Sequence, residues 1–241
     1  MKIARFMHGE VPAYGILSDG EFRVLTGNPL VAGIHESGER VEADAVRLLP
    51  PIAPTDVLAV GLNYRAHAEE TGAELPDHPL LFIKATSSVV GPGADIELPK
   101  AAPDEVDYEA ELAVVIGRSC KGVSAERARE FIFGYTCAND VSARDCQRVR
   151  DLQWARAKSF DTFCPLGPWI ETELDPDALR IESRLNGEAM QSSRTSDLIF
   201  SVGELIEHIS ESITLLPGTV LLTGTPPGVG MARTPRRYLR R

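Results

Sequence analysis

The sequence predicts a mostly β protein, α+β in class, with a few short helices. Alternating apolar and polar runs punctuated by turn residues outnumber the helical patterns, the helical patterns are short, and no regular β-α-β alternation occurs. Residues 1–50 alternate in this way, with turn signals at Asp19-Gly20 and Gly27-Asn28-Pro29, and read as a small N-terminal β unit. "LLPPIAPTD" (Leu48 to Asp56) is proline-rich and reads as a linker into a second unit, residues 51–241. There a strand "VLAVGLN" leads to a short helix "YRAHAEETG", for which Asn63 is the expected N-cap and Gly72 the C′ residue. "LLFIKATSSVVG" follows, then the acidic strand "VDYEAELAVVIG". Ser124 is expected to cap a helix "AERAREFIFG" ending at Gly134, and "YTCANDVSARD" begins as a further strand. Asn186-Gly187 between two alternating runs signals a type I′ hairpin. Ser201 and Glu204 form a capping box ahead of apolar residues at 202, 205, 206 and 209, and "PGTVLLTGTPPGVG" is a buried strand entering a Gly/Pro loop. The tail "RTPRRYLRR" holds five arginines in nine residues and reads as a solvated, disordered terminus.

Composition excludes several classes. A chain of 241 residues, 43% hydrophobic and 25% charged, has the make-up of an ordinary globular protein. Its net charge of −10 argues against nucleic-acid binding, which needs a basic surface to displace counterions. No apolar run is long enough for a bilayer span, and the N-terminus lacks a signal-type stretch, so a cytoplasmic location without membrane association is expected. Cys120, Cys137, Cys146 and Cys164 form no C-x-x-C pair and are expected as reduced thiols. "TGTPPGVG" lacks the lysine of a phosphate-binding loop.

The acidic strand carries the first chemical signal. On a strand Asp107, Glu109 and Glu111 share one face, about 6–7 Å apart, where each neighbouring pair repels by roughly 2–3 kcal/mol at an effective dielectric near 20. Exposure, protonation or a bound cation would relieve this, and the apolar "LAVVIG" that follows limits exposure. Asp140 in "CANDVSARDCQ" stands at a strand-to-loop transition, where functional side chains are commonly presented. An all-carboxylate set suits Mg2+ or Mn2+, also admits Ca2+, and disfavours zinc; three such ligands leave about three octahedral positions for water or substrate. In "GLNYRAHAEE", His67 and Glu70 are three apart on one helix face, and a carboxylate on one imidazole nitrogen raises the basicity of the other. Lys158 and Arg144 are cations able to offset the acids or bind an anionic substrate.

Five motifs in order and in register, "GLNYRAHAEE", "DYEAELAVVIG", "FGYTCANDVSARD", "AKSFDTFCPLGPW" and "LLTGTPPGVG", resemble the fumarylacetoacetate hydrolase family over about residues 52–235. The resemblance implies a mixed β-sandwich roll, often homodimeric. It implies that Glu109, Glu111 and Asp140 hold Mg2+ or Mn2+, and that His67 and Glu70 form a catalytic dyad on a mobile lid. Lys158 would stabilise an enolate, and Arg144, Gln147 and Thr225 would line the substrate site; Asp107 matches no ligand position. The implied activity is hydrolysis of a carbon–carbon bond in 2,4-dioxo acids (acylpyruvate- or fumarylacetoacetate-like substrates of aromatic catabolism) through a metal-bound enolate. Oxaloacetate decarboxylation and 2-hydroxyhepta-2,4-diene-1,7-dioate isomerisation or hydration are the alternatives on the same scaffold, and a non-catalytic metal- or ligand-binding homologue is a third. Two features depart from the family pattern. Members usually continue several dozen residues beyond "GVGMARTP", so the C-terminal end reads as truncated, and Thr219 stands where an acidic residue is common.

Overall fold

In the computed structural model, which describes residues 1–241, the N-terminal runs form β1 (Lys2–His8), β2 (Val11–Ser18), β3 (Glu21–Leu25) and β4 (Glu36–Glu42). They pair in antiparallel order, and a four-residue helix α1 (Pro29–Ala32), capped by the Asn28 side chain, bridges β3 and β4. Next come β5 (Val57–Gly61), helix α2 (Arg65–Thr71), β6 (Leu80–Lys84), the short β7 (Val89–Val90) and β8 (Val106–Asp107). The apolar half of the acidic stretch is β9 (Ala110–Ile116), followed by β10 (Ile132–Asn139), β11 (Ser142–Ala143), helix α3 (Ala155–Lys158) and β12 (Cys164–Glu171). The chain then forms the hairpin β13 (Arg180–Leu185) and β14 (Glu188–Arg194), helix α4 (Val202–Ser212) and β15 (Val220–Leu222).

Ten strands run in the order β4-β3-β2-β1-β12-β10-β9-β15-β5-β6, with β7 paired beside β12 as the eleventh. The β15–β5 and β12–β7 contacts are parallel and the other neighbours are antiparallel. The N-terminal strands join this sheet through β1 and β12, where Ile3 faces Ile170.

The central strands are apolar at nearly every position because both of their faces are covered. Val57, Ala59, Ala113, Val115, Val220 and Leu222 face one core together with Ile3, Tyr14 and Ile16 from the distant β1 and β2. Strands far apart in the order therefore share one interior, which requires the sheet to curl into a roll. Leu58, Val60, Leu112, Val114, Ile116 and Leu221 face the opposite side and pack on Val202, Leu205, Ile206 and Ile209 of α4. The 3.6-residue spacing of those four side chains and the Ser201–Glu204 capping box, both present, make α4 the cover of that face.

Several local expectations are corrected. Residues 125–131 form a 3₁₀ turn, not a helix reaching Gly134, and Ser124 makes no side-chain cap. Ile132 and Phe133 are already in β10, because pairing with β9 outweighs the local helical preference. The capping position of α2 is Tyr64 without a side-chain cap, whereas Gly72 does end it in the left-handed region at φ 64°. The acidic stretch is two strands broken at residues 108–109, with Asp107 in the small β8–β11 sheet. The proline-rich segment is packed: Pro51 and Ile52 are buried, and the Leu49 amide donates to the Arg5 carbonyl. The arginine tail docks as well, with Tyr238 buried, the Leu239 amide on the Val106 carbonyl, and Arg236 and Arg237 paired with Glu105 and Glu188. Asn186 and Gly187, at φ 53° and 83°, form the expected tight hairpin turn. Thr219 is buried; its hydroxyl accepts from the Leu216 amide and pairs with the Thr55 hydroxyl.

Asn63 ties the site-bearing segments together. Its amide nitrogen donates to the carbonyls of Phe200 and Thr223, and its oxygen accepts from the Phe200 amide. Asn63→Ala would leave these buried backbone groups unpaired at a cost of about 2–4 kcal/mol. Chemical denaturation measures it; a loss below about 0.5 kcal/mol, the scatter of an ordinary surface change, would show that the junction carries no weight.

Candidate metal and catalytic site

The register between β9 and β10 assembles the acids. Glu111 sits opposite Ala138, and Ala110 opposite Asn139, so Asp140, the first residue beyond β10, lies beside the start of β9. The Asn139 side chain accepts from the Glu109 amide, and the Asp140 amide donates to the Glu109 carbonyl, each at 2.9 Å. One carboxylate oxygen each from Glu109, Glu111 and Asp140 lies within 4.8 Å of the others, and all three residues are buried.

Three cations hold this cluster. Lys158, at the end of α3, donates to Glu109 Oε2 at 2.7 Å and Asp140 Oδ2 at 2.6 Å. Arg144 reaches Glu109 Oε1 at 2.6 Å, Asp107 Oδ2 at 2.9 Å and Gln147 Oε1 at 2.9 Å. Lys84, at the end of β6, donates to Asp140 Oδ1 at 2.5 Å and also to the Lys158 carbonyl. Burial by itself would raise the Glu109 carboxyl, but Lys158 and Arg144 together hold it far below the usual range.

Glu111 differs. Its only hydrogen bond comes from the Gly224 amide at 2.6 Å, and no lysine or arginine pairs with it. Burial, then the neighbouring Asp140 and Glu109 charges, push its pKa well above the ordinary value. A buried carboxylate lacking a counter-charge beside two others is what a divalent cation would relieve, and hard oxygen donors match such an ion. The residues present therefore fit a divalent metal at Glu109, Glu111 and Asp140. Gly224 cannot be replaced at no cost: at φ 97°, its Cβ would lie 2.7 Å from that of Asn63.

The dyad is held over the same space. His67 Nδ1 lies 3.0 Å from Glu70 Oε2, while Glu70 Oε1 accepts from the Gly228 amide at 2.8 Å. With a carboxylate on Nδ1, the neutral ring keeps its proton there and Nε2 is free to act as a base. His67, the three acids, Lys158, Arg144, Gln147 and Thr225 all line one cavity of ≈ 350 Å³, closed on its apolar side by Val60, Leu80, Phe82 and Trp154. A larger cavity of ≈ 580 Å³ shares only Glu111 among the acids and holds no histidine or lysine, so the reactive groups belong to the smaller one.

All nine residues singled out in the sequence are thus brought together, in unequal positions. Thr225 donates to the Ala110 carbonyl and receives Gln191, and every nitrogen of the Arg144 guanidinium is engaged by protein. Asp107, without a ligand position in the family pattern, is wholly buried and anchors Arg144 and the amides of Gly230 and Met231. Sequence reasoning missed Lys84 and Gln191. A lysine closing the apolar run "LLFIK" was the available signal for the first; Gln191, whose oxygen accepts from the Ala110 amide and the Ser183 hydroxyl, gave none.

A model of the family described as fumarylacetoacetate (FAA) hydrolase C-terminal matches residues 56–241, and one described as Rv2993c-like, N-terminal, matches residues 1–51. A mitochondrial oxaloacetate tautomerase of Rattus norvegicus is 47% identical over 197 residues, 80% of this chain and 63% of the rat protein. The structure of 5-carboxymethyl-2-hydroxymuconate delta-isomerase from Mycobacterium smegmatis superposes with a TM-score of 0.89 at 46% identity, covering 95% of this chain and 90% of that one. Fumarylacetoacetate hydrolase from the psychrophile Exiguobacterium antarcticum gives 0.88 at 37% identity, covering 100% and 92%.

Lys84→Met removes a buried counter-charge from Asp140 and is expected to destabilise the fold by about 3 kcal/mol. Glu111→Gln removes the acid without a cationic partner and should weaken Mn2+ binding about tenfold or more without comparable unfolding. Calorimetric titration and thermal melts read both effects, and unchanged Mn2+ affinity in Glu111→Gln would exclude this residue as a ligand.

Proposed function

The chain belongs to the fumarylacetoacetate hydrolase family, and from that premise we propose that it is a divalent-metal-dependent enzyme that enolises 2-oxo acids. The supporting observation is that His67, hydrogen-bonded to Glu70, and the acid cluster line the same small cavity. A base for carbon-bound protons therefore sits beside a site able to hold a 2-oxo carboxylate. Mg2+ or Mn2+ bound by Glu109, Glu111 and Asp140 would supply Lewis acidity to the substrate's carboxylate and 2-oxo oxygens.

The chain's own groups do the rest. His67 Nε2 takes the proton from the carbon next to the 2-oxo group and can return it to another position. Glu70 fixes the ring tautomer and balances the imidazolium, itself held by the Gly228 amide. The Lys158 ammonium, already between Glu109 and Asp140, offers positive charge to the oxygen that becomes negative. The Gln147 oxygen is taken by Arg144, which leaves its amide hydrogens for the substrate. Phe82 and Trp154, ring centroids 5.5 Å apart, keep water from the apolar side.

Proton transfer of this kind is tautomerisation or isomerisation, the reaction type in the names of the rat and M. smegmatis relatives. Hydrolysis of a carbon–carbon bond in a 2,4-dioxo acid is the second reading, supported by the likeness to the E. antarcticum hydrolase. There His67 would take a proton from a water that adds to the distal carbonyl; the carbon–carbon bond then breaks, and its electron pair leaves on the 2-oxo fragment as an enolate that is protonated to the product.

Oxaloacetate, an acylpyruvate and a hydroxymuconate-type diacid, assayed side by side with Mg2+ or Mn2+ and then with chelator, separate these outcomes. Turnover should depend on the metal. His67→Ala should lower kcat by roughly 10²–10⁴-fold while leaving Mn2+ affinity essentially intact. Thermal stabilisation by metal with no turnover of any of the three acids would identify a non-catalytic binding protein and refute the proposal.

A further inference from the structure

Resting on the 2-oxo acid reading, we propose that Arg148 selects dicarboxylic over monocarboxylic substrates by holding the far carboxylate at the mouth of this cavity.

Three cationic side chains besides His67 line the cavity: Arg144, Lys158 and Arg148. The first two are buried and already hydrogen-bonded to protein carboxylates. Arg148 is exposed and has no carboxylate partner; its single polar contact is Met231 Sδ at 3.8 Å, a weak acceptor. The neighbouring arginines show that this is not the habit of the segment. Arg150 pairs with Asp145 at 3.1 Å, and Arg156 with Asp151 at 2.6 Å. In a stretch where acids are available and used, the one guanidinium left without an acid is the one in the cavity wall.

Its placement is defined. Arg148 belongs to a single π-helical turn, Cys146–Arg150, anchored by buried Cys146 and by Gln147 on Arg144. Met231 comes from a separate turn, Gly230–Ala232, whose amides are fixed by Asp107. Arg148 and Met231 thus meet in the cavity wall from two segments that share one buried anchor, Asp107.

The electrostatics require such a group for a dianion. Four buried carboxyl groups (Asp107, Glu109, Glu111 and Asp140) face three buried cations, Lys84, Arg144 and Lys158, so the floor has no spare positive charge for a substrate. A divalent ion held by Glu109, Glu111 and Asp140 would answer the near carboxylate of a 2-oxo acid. A second carboxylate directed at Leu80, Phe82 and Trp154 would lose hydration without a partner. Towards Arg148 it meets a planar two-donor fork that matches its own geometry.

The test compares 2-oxoglutarate with 2-oxopentanoate, which share a chain length and differ in the far carboxylate, by calorimetric titration of the Mn2+-loaded protein. Wild type should prefer the diacid by about fivefold to tenfold, the worth of a charge-assisted bond partly screened by solvent. R148A should bring the two affinities together by weakening only the diacid, R148K should keep part of the preference, and R148E should reverse it. Because the side chain is exposed, melting temperatures should match wild type. A diacid preference unchanged in R148A overturns the role of Arg148 alone, whereas failure of wild type to bind either acid overturns the 2-oxo acid reading as well.

Discussion

Neutralising buried charge is the constraint around which the rest of the molecule is arranged. Asp107, Glu109, Glu111 and Asp140 lie beneath the surface, and no single stretch of chain could supply both these acids and the cations that pair with three of them. Lys84 arrives from β6, Lys158 from α3 and Arg144 from just beyond β11, each ending on at least one carboxylate. Breaking any of these pairs leaves a charge in a poorly solvated place, which is far costlier than losing a surface ion pair. The cluster therefore dictates where β6, β9, β10 and the segment after β11 must end. The uneven balance, with Glu111 unpaired, also creates the place where a divalent ion fits.

The roll supplies the rigidity that such a cluster needs. Curling brings β1 and β2 against β5 and β15, so the strands carrying Glu111 and Asp140 are packed on both faces. The loop after β15 then returns over the acids, giving the Gly224 amide to Glu111 and the Gly228 amide to Glu70. Through these two amides one loop positions both halves of the site, the acid cluster and the proton-transfer pair. Asn63 ties the segment leading into α2 to the same loop and to Phe200, which fixes the helix that carries His67.

Membership of a family of enzymes with several named reactions is consistent with this division. On the proposed reading the buried cluster and the His67–Glu70 pair would serve any acid that can form an enolate, and would not by themselves discriminate among such acids. On that reading, discrimination would fall to the other residues of the cavity wall, among them Trp154 and Arg148.

The spacing of Glu109 and Glu111, the His67–Glu70 pair on one helix turn, the Asn186-Gly187 hairpin and the Ser201 capping box were readable from the chain, because each depends on neighbours a few residues apart. The same local logic failed at residues 125–134, where helix-forming composition yielded to pairing between Ile132 and Ile116. It failed again for the proline-rich segment and the arginine tail, whose composition suggests solvent but whose backbones are hydrogen-bonded into the fold. Partners of a buried charge cannot be read from order along the chain: Lys84 and Asp140 are 56 residues apart, and only the curvature of the sheet makes them meet. Sequence determined the kinds of groups available and their short-range geometry. Tertiary structure decided which acid pairs with which cation, since that choice is a competition among contacts from distant segments for the same buried space.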